Sequence, residues 1–186
     1  MKHALLLIDL QNDYFPNGKM VLANSVKAGQ SAQQLLHDFR KNKKLIVHIQ
    51  HIATRSDATF FLPDTYGVEI NQLVEPNVGE KIILKHYPNS FQETQLLDYL
   101  KKNRIEKITV AGMMTHMCVD STVRAAKDFG FDIEVIANAC ATKDLEIKGK
   151  ITKAEDVQNA FLSAMSYYFS KVINTEDFFW RTNKKN

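Results

Sequence analysis

Cysteine is scarce: Cys118 and Cys140 are the only two in 186 residues, which excludes a disulfide framework and fits a reducing compartment. Long apolar runs are missing too. Residues 4–8 are apolar but meet Asp9 at once, too brief for the core of a signal peptide and without a cleavage site. No stretch approaches the roughly 20 apolar residues of a membrane span. A cytoplasmic protein with no membrane partner is therefore expected. Charge of one sign is also lacking. The net charge is +3, and its basic clusters, Lys41, Lys43 and Lys44, then Arg181, Lys184 and Lys185, fall at an expected helix end and in the tail. Nucleic-acid binding needs a concentrated basic stripe, so no nucleic-acid partner is expected. Repeats, low-complexity tracts and an interdomain linker are absent, so residues 1–186 read as one domain with a full hydrophobic core.

What is present is an alternation. Short apolar runs at 4–8, 45–49, 82–84, 108–111, 133–136 and 172–173 are nearly continuous in Val, Ile and Leu, as parallel strands buried on both faces require. Between them lie amphipathic helical patterns. Ala32, Leu35, Leu36 and Phe39 share one face, as do Val119, Thr122, Val123 and Ala126. A third stripe is Val157, Ala160, Phe161, Ala164 and Tyr168, preceded by Thr152 and Glu155 at capping-box spacing. Gly130 stands where a helix after Cys118 would close. Repeated βα units imply an α/β three-layer sandwich around a parallel sheet. Residues 51–80 and 138–152 break the rhythm and are expected to be functional loops or oligomer contacts.

In open α/β sheets the ligand sits beyond the carboxyl ends of the strands. Asp9 ends the first run, Lys85 the third, and residues 112–118 follow the fourth, so an acid, a base and a thiol converge on one edge of the sheet. A free cysteine is more often a small buried hydrophobe than a nucleophile. Cys118, however, falls in the first turn of a helix that Thr115 can cap, and a helix N-terminus with a lysine nearby lowers a thiol pKa. Cys140 has no such partner in the sequence and reads as structural.

Three segments carry a resemblance. Asp9-Leu10-Gln11-Asn12-Asp13-Tyr14-Phe15, Lys85-His86-Tyr87-Pro88-Asn89-Ser90-Phe91 and Gly112-Met113-Met114-Thr115-His116-Met117-Cys118-Val119 resemble, in order, the signatures of the isochorismatase-like cysteine hydrolases. The resemblance implies a catalytic triad of Asp9, Lys85 and Cys118, and a six-stranded parallel sheet ordered 3-2-1-4-5-6. It also implies a cis peptide joining Met113 to Met114, and a homodimer or homotetramer. On this pattern Asp9 takes the thiol proton, Lys85 steadies the developing negative charge, and backbone N–H groups of Met114 and Cys118 form the oxyanion hole. The true isochorismatases of the family cleave a vinyl ether and generally lack the cysteine, so Cys118 favours an amidase or lactam hydrolase acting on a small molecule. The 112–119 segment also resembles that of streptothricin hydrolase, which opens a lactam.

Rival readings meet specific residues. Cys118 and Arg124 are spaced as in a phosphatase, but the intervening Val119-Asp120-Ser121-Thr122-Val123 has no glycine and carries an anion, so it makes no phosphate nest. A metal-dependent relative of the nicotinamidase kind adds an Asp and three His ligands after the second strand. Here His48 and His51 lie three apart, facing opposite sides of a strand, with Gln50 near the place of the carboxylate. No metal and no cofactor are expected. A non-catalytic binding protein would not need all three triad positions filled, and no Gly-x-Gly-x-x-Gly follows the first run, so a dinucleotide enzyme is weaker still. Phe15, Phe60, Phe61, Tyr87 and Met114 are the expected substrate-binding walls, although Phe60 and Phe61 could equally meet a neighbouring subunit.

Overall fold

The computed structural model describes residues 2–183, so Lys184 and Lys185 of the basic tail lie outside the described residues. Strands β1 (His3–Ile8), β2 (Leu45–His51), β3 (Lys81–Lys85), β4 (Lys107–Met113), β5 (Asp132–Ala141) and β8 (Lys171–Ile173) form one parallel sheet ordered β3-β2-β1-β4-β5-β8. This is the expected order. Its sixth member counts as the eighth strand because a small antiparallel hairpin, β6 (Leu145–Ile147) and β7 (Lys150–Thr152), precedes it.

The central strand shows why the runs are continuous. Leu5 and Leu7 of β1 face a core packed by α1 (Ser25–Lys41) through Leu35, Leu36 and Phe39, with Phe178 of α5 (Thr175–Asn183). Ala4, Leu6 and Ile8 face the other core. There Leu96 and Leu100 of α2 (Leu96–Lys102), Val123 and Ala126 of α3 (Asp120–Asp128), and Met165 of α4 (Ala154–Tyr168) close over the sheet. Each side chain of that size moved out of water stabilises the fold by about 1.5–3 kcal/mol. Helices thus cover both faces and leave the carboxyl ends of the strands open to the loops.

Two local features shape the edge beyond β1 and β4. Gly112 pairs with Ile8 so closely that a Cβ would collide with the Ile8 backbone. The β4–β5 register also shifts between Val110 and Gly112, a bulge that re-aims the chain just before the 114–119 turn.

The third helical stripe needs correcting. On α4 Val157 and Met165 are buried, while Ala160, Ala164 and Tyr168 face out. Thr152 does not cap this helix. Asp144 does, with Oδ1 accepting from the Ala154 N–H at 2.8 Å and Oδ2 from Lys153 Nζ at 2.8 Å.

Candidate active site

Asp9 follows β1 in a left-handed conformation, φ 51°, and is fully buried. A non-glycine residue there is strained by about 1–3 kcal/mol, a cost that clusters at functional sites. Beyond β4 the Met113–Met114 peptide is cis. The chain then makes a π-helical turn over Thr115–Val119 that runs into α3. Such turns are frequent where a side chain must be re-aimed at a site. Met114 O accepts from the N–H groups of Met117 (3.0 Å) and Val119 (3.2 Å). Thr115 is not the expected cap: its hydroxyl donates to Ala141 O at 3.2 Å, tying the turn to β5.

Lys85 begins two strands away, yet its four-carbon stem crosses β2 and delivers Nζ to the same point. The segment after it is bolted inward. Ser90 N–H donates to Thr122 Oγ1 (3.0 Å), Thr122 donates to Ser90 Oγ (2.8 Å), and both side chains are fully buried against α3.

The structure brings Asp9, Lys85 and Cys118 together. Lys85 Nζ lies 2.7 Å from Asp9 Oδ2, with both side chains fully buried, and donates to Cys118 Sγ at 3.3 Å. It also reaches Tyr87 O at 3.1 Å and His51 Nδ1 at 2.9 Å. Asp9 Oδ1 has no hydrogen-bond partner among the described residues.

The electrostatics follow from this burial. Burial pushes the Asp9 carboxyl above its ordinary value despite the opposing pull of Lys85. Burial pulls the Lys85 ammonium down, but Asp9 and Cys118 outweigh it and hold the group above its ordinary value. Burial and then Asp9 push the Cys118 thiol well up, with Lys85 only partly opposing. Burial thus favours the neutral thiol at rest, beside the Asp9–Lys85 pair. The lowered thiol expected from a helix N-terminus is overturned, because desolvation outweighs both the helix end and the lysine.

The rest of the first signature holds the long loop in place. Gln11 Oε1 accepts from His51 N–H (2.7 Å), and its Nε2 donates to His51 O (2.8 Å) and Val68 O (2.6 Å). Asn12 donates to Tyr66 O (3.0 Å) and accepts from Asn71 (2.9 Å). The buried Asp13 carboxylate accepts from Phe61 N–H (2.6 Å) and Lys19 N–H (3.0 Å). Gly67 packs on that carboxylate so tightly that no Cβ fits. Residues 51–74 are thus a braced wall whose backbone polar groups are met by three side chains.

Among the expected substrate walls, Met114 is buried beside the turn. Phe61 is buried with its ring 4.6 Å from that of Tyr14, and Phe60 is half-buried 5.0 Å from Phe61. Phe61 is therefore not available to a neighbouring subunit. Phe15 is buried, its ring packed under α1 against Gly29 and close to Leu73. Its neighbour Tyr14 is also buried, and burial, then the nearby Cys118 and Asp9, raise its hydroxyl pKa. Tyr87 contributes its carbonyl to Lys85 while its side chain stays partly exposed. Arg124 is spent on Asp120 (2.9 Å) and the face of Phe169 (4.3 Å), which removes the phosphatase reading.

A nicotinamidase-type metal set does not fit these residues. His48 Nε2 lies 2.9 Å from Glu80, whereas His51 is engaged with Lys85. Asp9, His51 and Cys118 do offer ligand atoms within 4.8 Å of one another. The Lys85 ammonium stands among them, however, and repels a cation from that point.

Cys140 contrasts with Cys118. It is buried near the end of β5, its thiol pushed up to about 12 by burial with the Gly112 N–H opposing. It lines a cavity of about 800 Å³ shared by α1, β5 and α4.

Comparison with known proteins gives a consistent picture. A sequence model of the isochorismatase domain matches residues 3–177. YddQ, an uncharacterized isochorismatase family protein of Bacillus subtilis, is 47% identical over 96% of this chain and 99% of its own length. A streptothricin hydrolase of Streptomyces noursei is 28% identical over 88% of this chain and 56% of its own length. The solved structure of an isochorismatase from Pseudomonas putida superposes with a TM-score of 0.87 at 30% identity, covering 94% of this chain and 89% of that one.

Proposed function

The chain belongs to the isochorismatase family of hydrolases, and from that premise we propose that it cleaves a C–N bond of a small amide or lactam through a covalent acyl-enzyme on Cys118. One observation carries this reading: a buried ammonium that touches both a carboxylate and a thiol, 2.7 Å and 3.3 Å away. A structural ion pair has no need of the sulfur, and desolvating two charges without a function is costly.

Asp9 acts as the base. Its raised pKa makes it a better proton acceptor than an exposed carboxylate, and the neutral thiol beside it is the proton source. As the sulfur attacks the carbonyl carbon, its proton passes to Asp9. Lys85, which stays charged, stabilises the sulfur and the carboxylate's neighbourhood. The N–H groups of Met114 and Cys118 receive the oxyanion. Asp9 then gives the proton to the leaving nitrogen, the C–N bond breaks, and a thioester remains. Water, deprotonated by Asp9, attacks that thioester, releasing the acid and restoring the thiol. Tyr14, Phe60, Phe61 and Met114 would supply apolar walls, suited to a neutral, partly planar substrate. The streptothricin hydrolase likeness supports a lactam among the candidates.

The test is a screen of small amides and lactams for release of amine, ammonia or acid, run in parallel with Cys118→Ala. Turnover by the parent and none by the variant is the expected result. Equal turnover by both removes the reading. Prolonged dialysis against a chelator should leave the parent's rate and melting temperature unchanged.

A further inference from the structure

Lys85 has three N–H bonds and four acceptors around it: Asp9, His51, Tyr87 O and Cys118. Three of these acceptors, the His51 nitrogen, the Tyr87 carbonyl and the resting Cys118 thiol, are uncharged. His51 ends β2, and in the parallel ladder it stands directly beside Lys85, which ends β3. Register partners project from the same face of a sheet, so the two side chains meet by construction. An ammonium only donates, so the His51 Nδ1 at 2.9 Å must accept, and the ring proton must sit on Nε2. The residue is held through both its backbone and its ring. Gln11 grips the His51 backbone at both N–H and carbonyl, and Phe61 lies against the imidazole at 5.8 Å. Burial first, then the charges of Lys85, His86 and Arg55, lower its pKa to about 3, so the ring stays neutral.

We infer that His51 is a positioning residue of this site, a neutral acceptor that fixes the Lys85 ammonium between Asp9 and Cys118 without cancelling its charge. The inference rests on the hydrolase reading above and adds a fourth side chain to it. A carboxylate in the same place would also hold the ammonium, but it would neutralise it. The sulfur would then lose the cation that stabilises it as it gives up its proton. An apolar ring would leave the ammonium with a missing partner and let it drift toward Asp9.

The experiment reads the alkylation rate of Cys118 by iodoacetamide, by peptide mapping of the full chain, with Cys140 labelling as the internal measure of folding. His51→Asn, whose side-chain oxygen falls near the place of Nδ1, should keep the rate within about 3-fold. His51→Phe should slow Cys118 roughly 10- to 100-fold, the loss of one hydrogen bond to a charged group, and leave Cys140 unchanged. If His51→Phe unfolds and exposes Cys140, the comparison of His51→Asn with His51→Gln decides instead. Gln places its polar atoms near Nε2, so Asn should be the faster of the two. Equal rates for parent and His51→Phe, or Gln matching or exceeding Asn, overturn the inference alone. A parent Cys118 that labels no faster than Cys140 overturns the hydrolase reading, and the inference with it.

Discussion

Cys118 lies beyond β4 and Cys140 near the end of the neighbouring β5, both nearly inaccessible and both with thiols raised by burial. Burial therefore does not distinguish them, although Cys140 lines a cavity of about 800 Å³. The difference is in what touches the sulfur. Cys118 has an ammonium at 3.3 Å and a carboxylate beside it, whereas Cys140 has the Gly112 backbone and the apolar packing of the β4–β5 edge. A buried thiol becomes a nucleophile when a base stands ready to take its proton, so resting thiolate is not a requirement.

The largest expected effect separates the two residues outright. Cys118→Ala should lower kcat by about 10⁴-fold or more on any substrate the screen finds. Cys140→Ala should stay within about 3-fold, and comparable losses for both would erase the contrast. Next come the partners. Asp9→Asn and Lys85→Met should each cost about 10³-fold or more in kcat/KM, and the double variant little beyond either, because residues acting as a unit are not additive. Lys85→Met alone should also destabilise the fold by about 3–5 kcal/mol in urea titration, since it strands a buried carboxylate. Adding Asp9→Asn should restore much of that loss. The solvent-facing Arg124–Asp120 pair, removed as a control, should cost only about 0.3–0.5 kcal/mol.

A smaller effect sharpens the comparison through pH. Cys140 reacts only as thiolate, so its alkylation should climb about tenfold per pH unit across the neutral range, because its thiol titrates near 12. Cys118 hands its proton to Asp9, so its rate should level off once Asp9 is ionised instead of climbing with every pH unit. That rate should fall on the acid side as pH drops through the Asp9 value, which lies above the ordinary carboxylate range. Two parallel profiles would contradict the assignment of Asp9 as base.

Much of this was legible in the sequence because strand ends carry it. Six apolar runs mark the strands of the main sheet, and Asp9, Lys85 and Cys118 each follow one closely. What was not legible depends on register and on side-chain direction. His51 acquires its partner only because β2 and β3 pair His51 with Lys85, and no spacing within one strand reveals that. Thr115 looked like a cap, but a hydroxyl at a helix start can turn to any nearby carbonyl, and here Ala141 O is the one in reach. Ala160, Ala164 and Tyr168 form an arc on α4 as regular as that of the buried residues, so periodicity did not choose between the two faces. The β6–β7 hairpin was readable in principle. Leu145-Glu146-Ile147 and Lys150-Ile151-Thr152 flank Lys148-Gly149, both at positive φ, the two-residue loop that such hairpins favour.

The most direct test of the central claim sets the two thiols against each other in one molecule. The parent protein is treated briefly with iodoacetamide near neutral pH, quenched, digested, and mapped for carbamidomethylation. The account predicts modification of Cys118 first, by at least about tenfold over Cys140, although Cys140 lines a cavity of its own. Preferential modification of Cys140 would contradict it, for then access and not the Asp9–Lys85 pair would govern thiol reactivity in this fold.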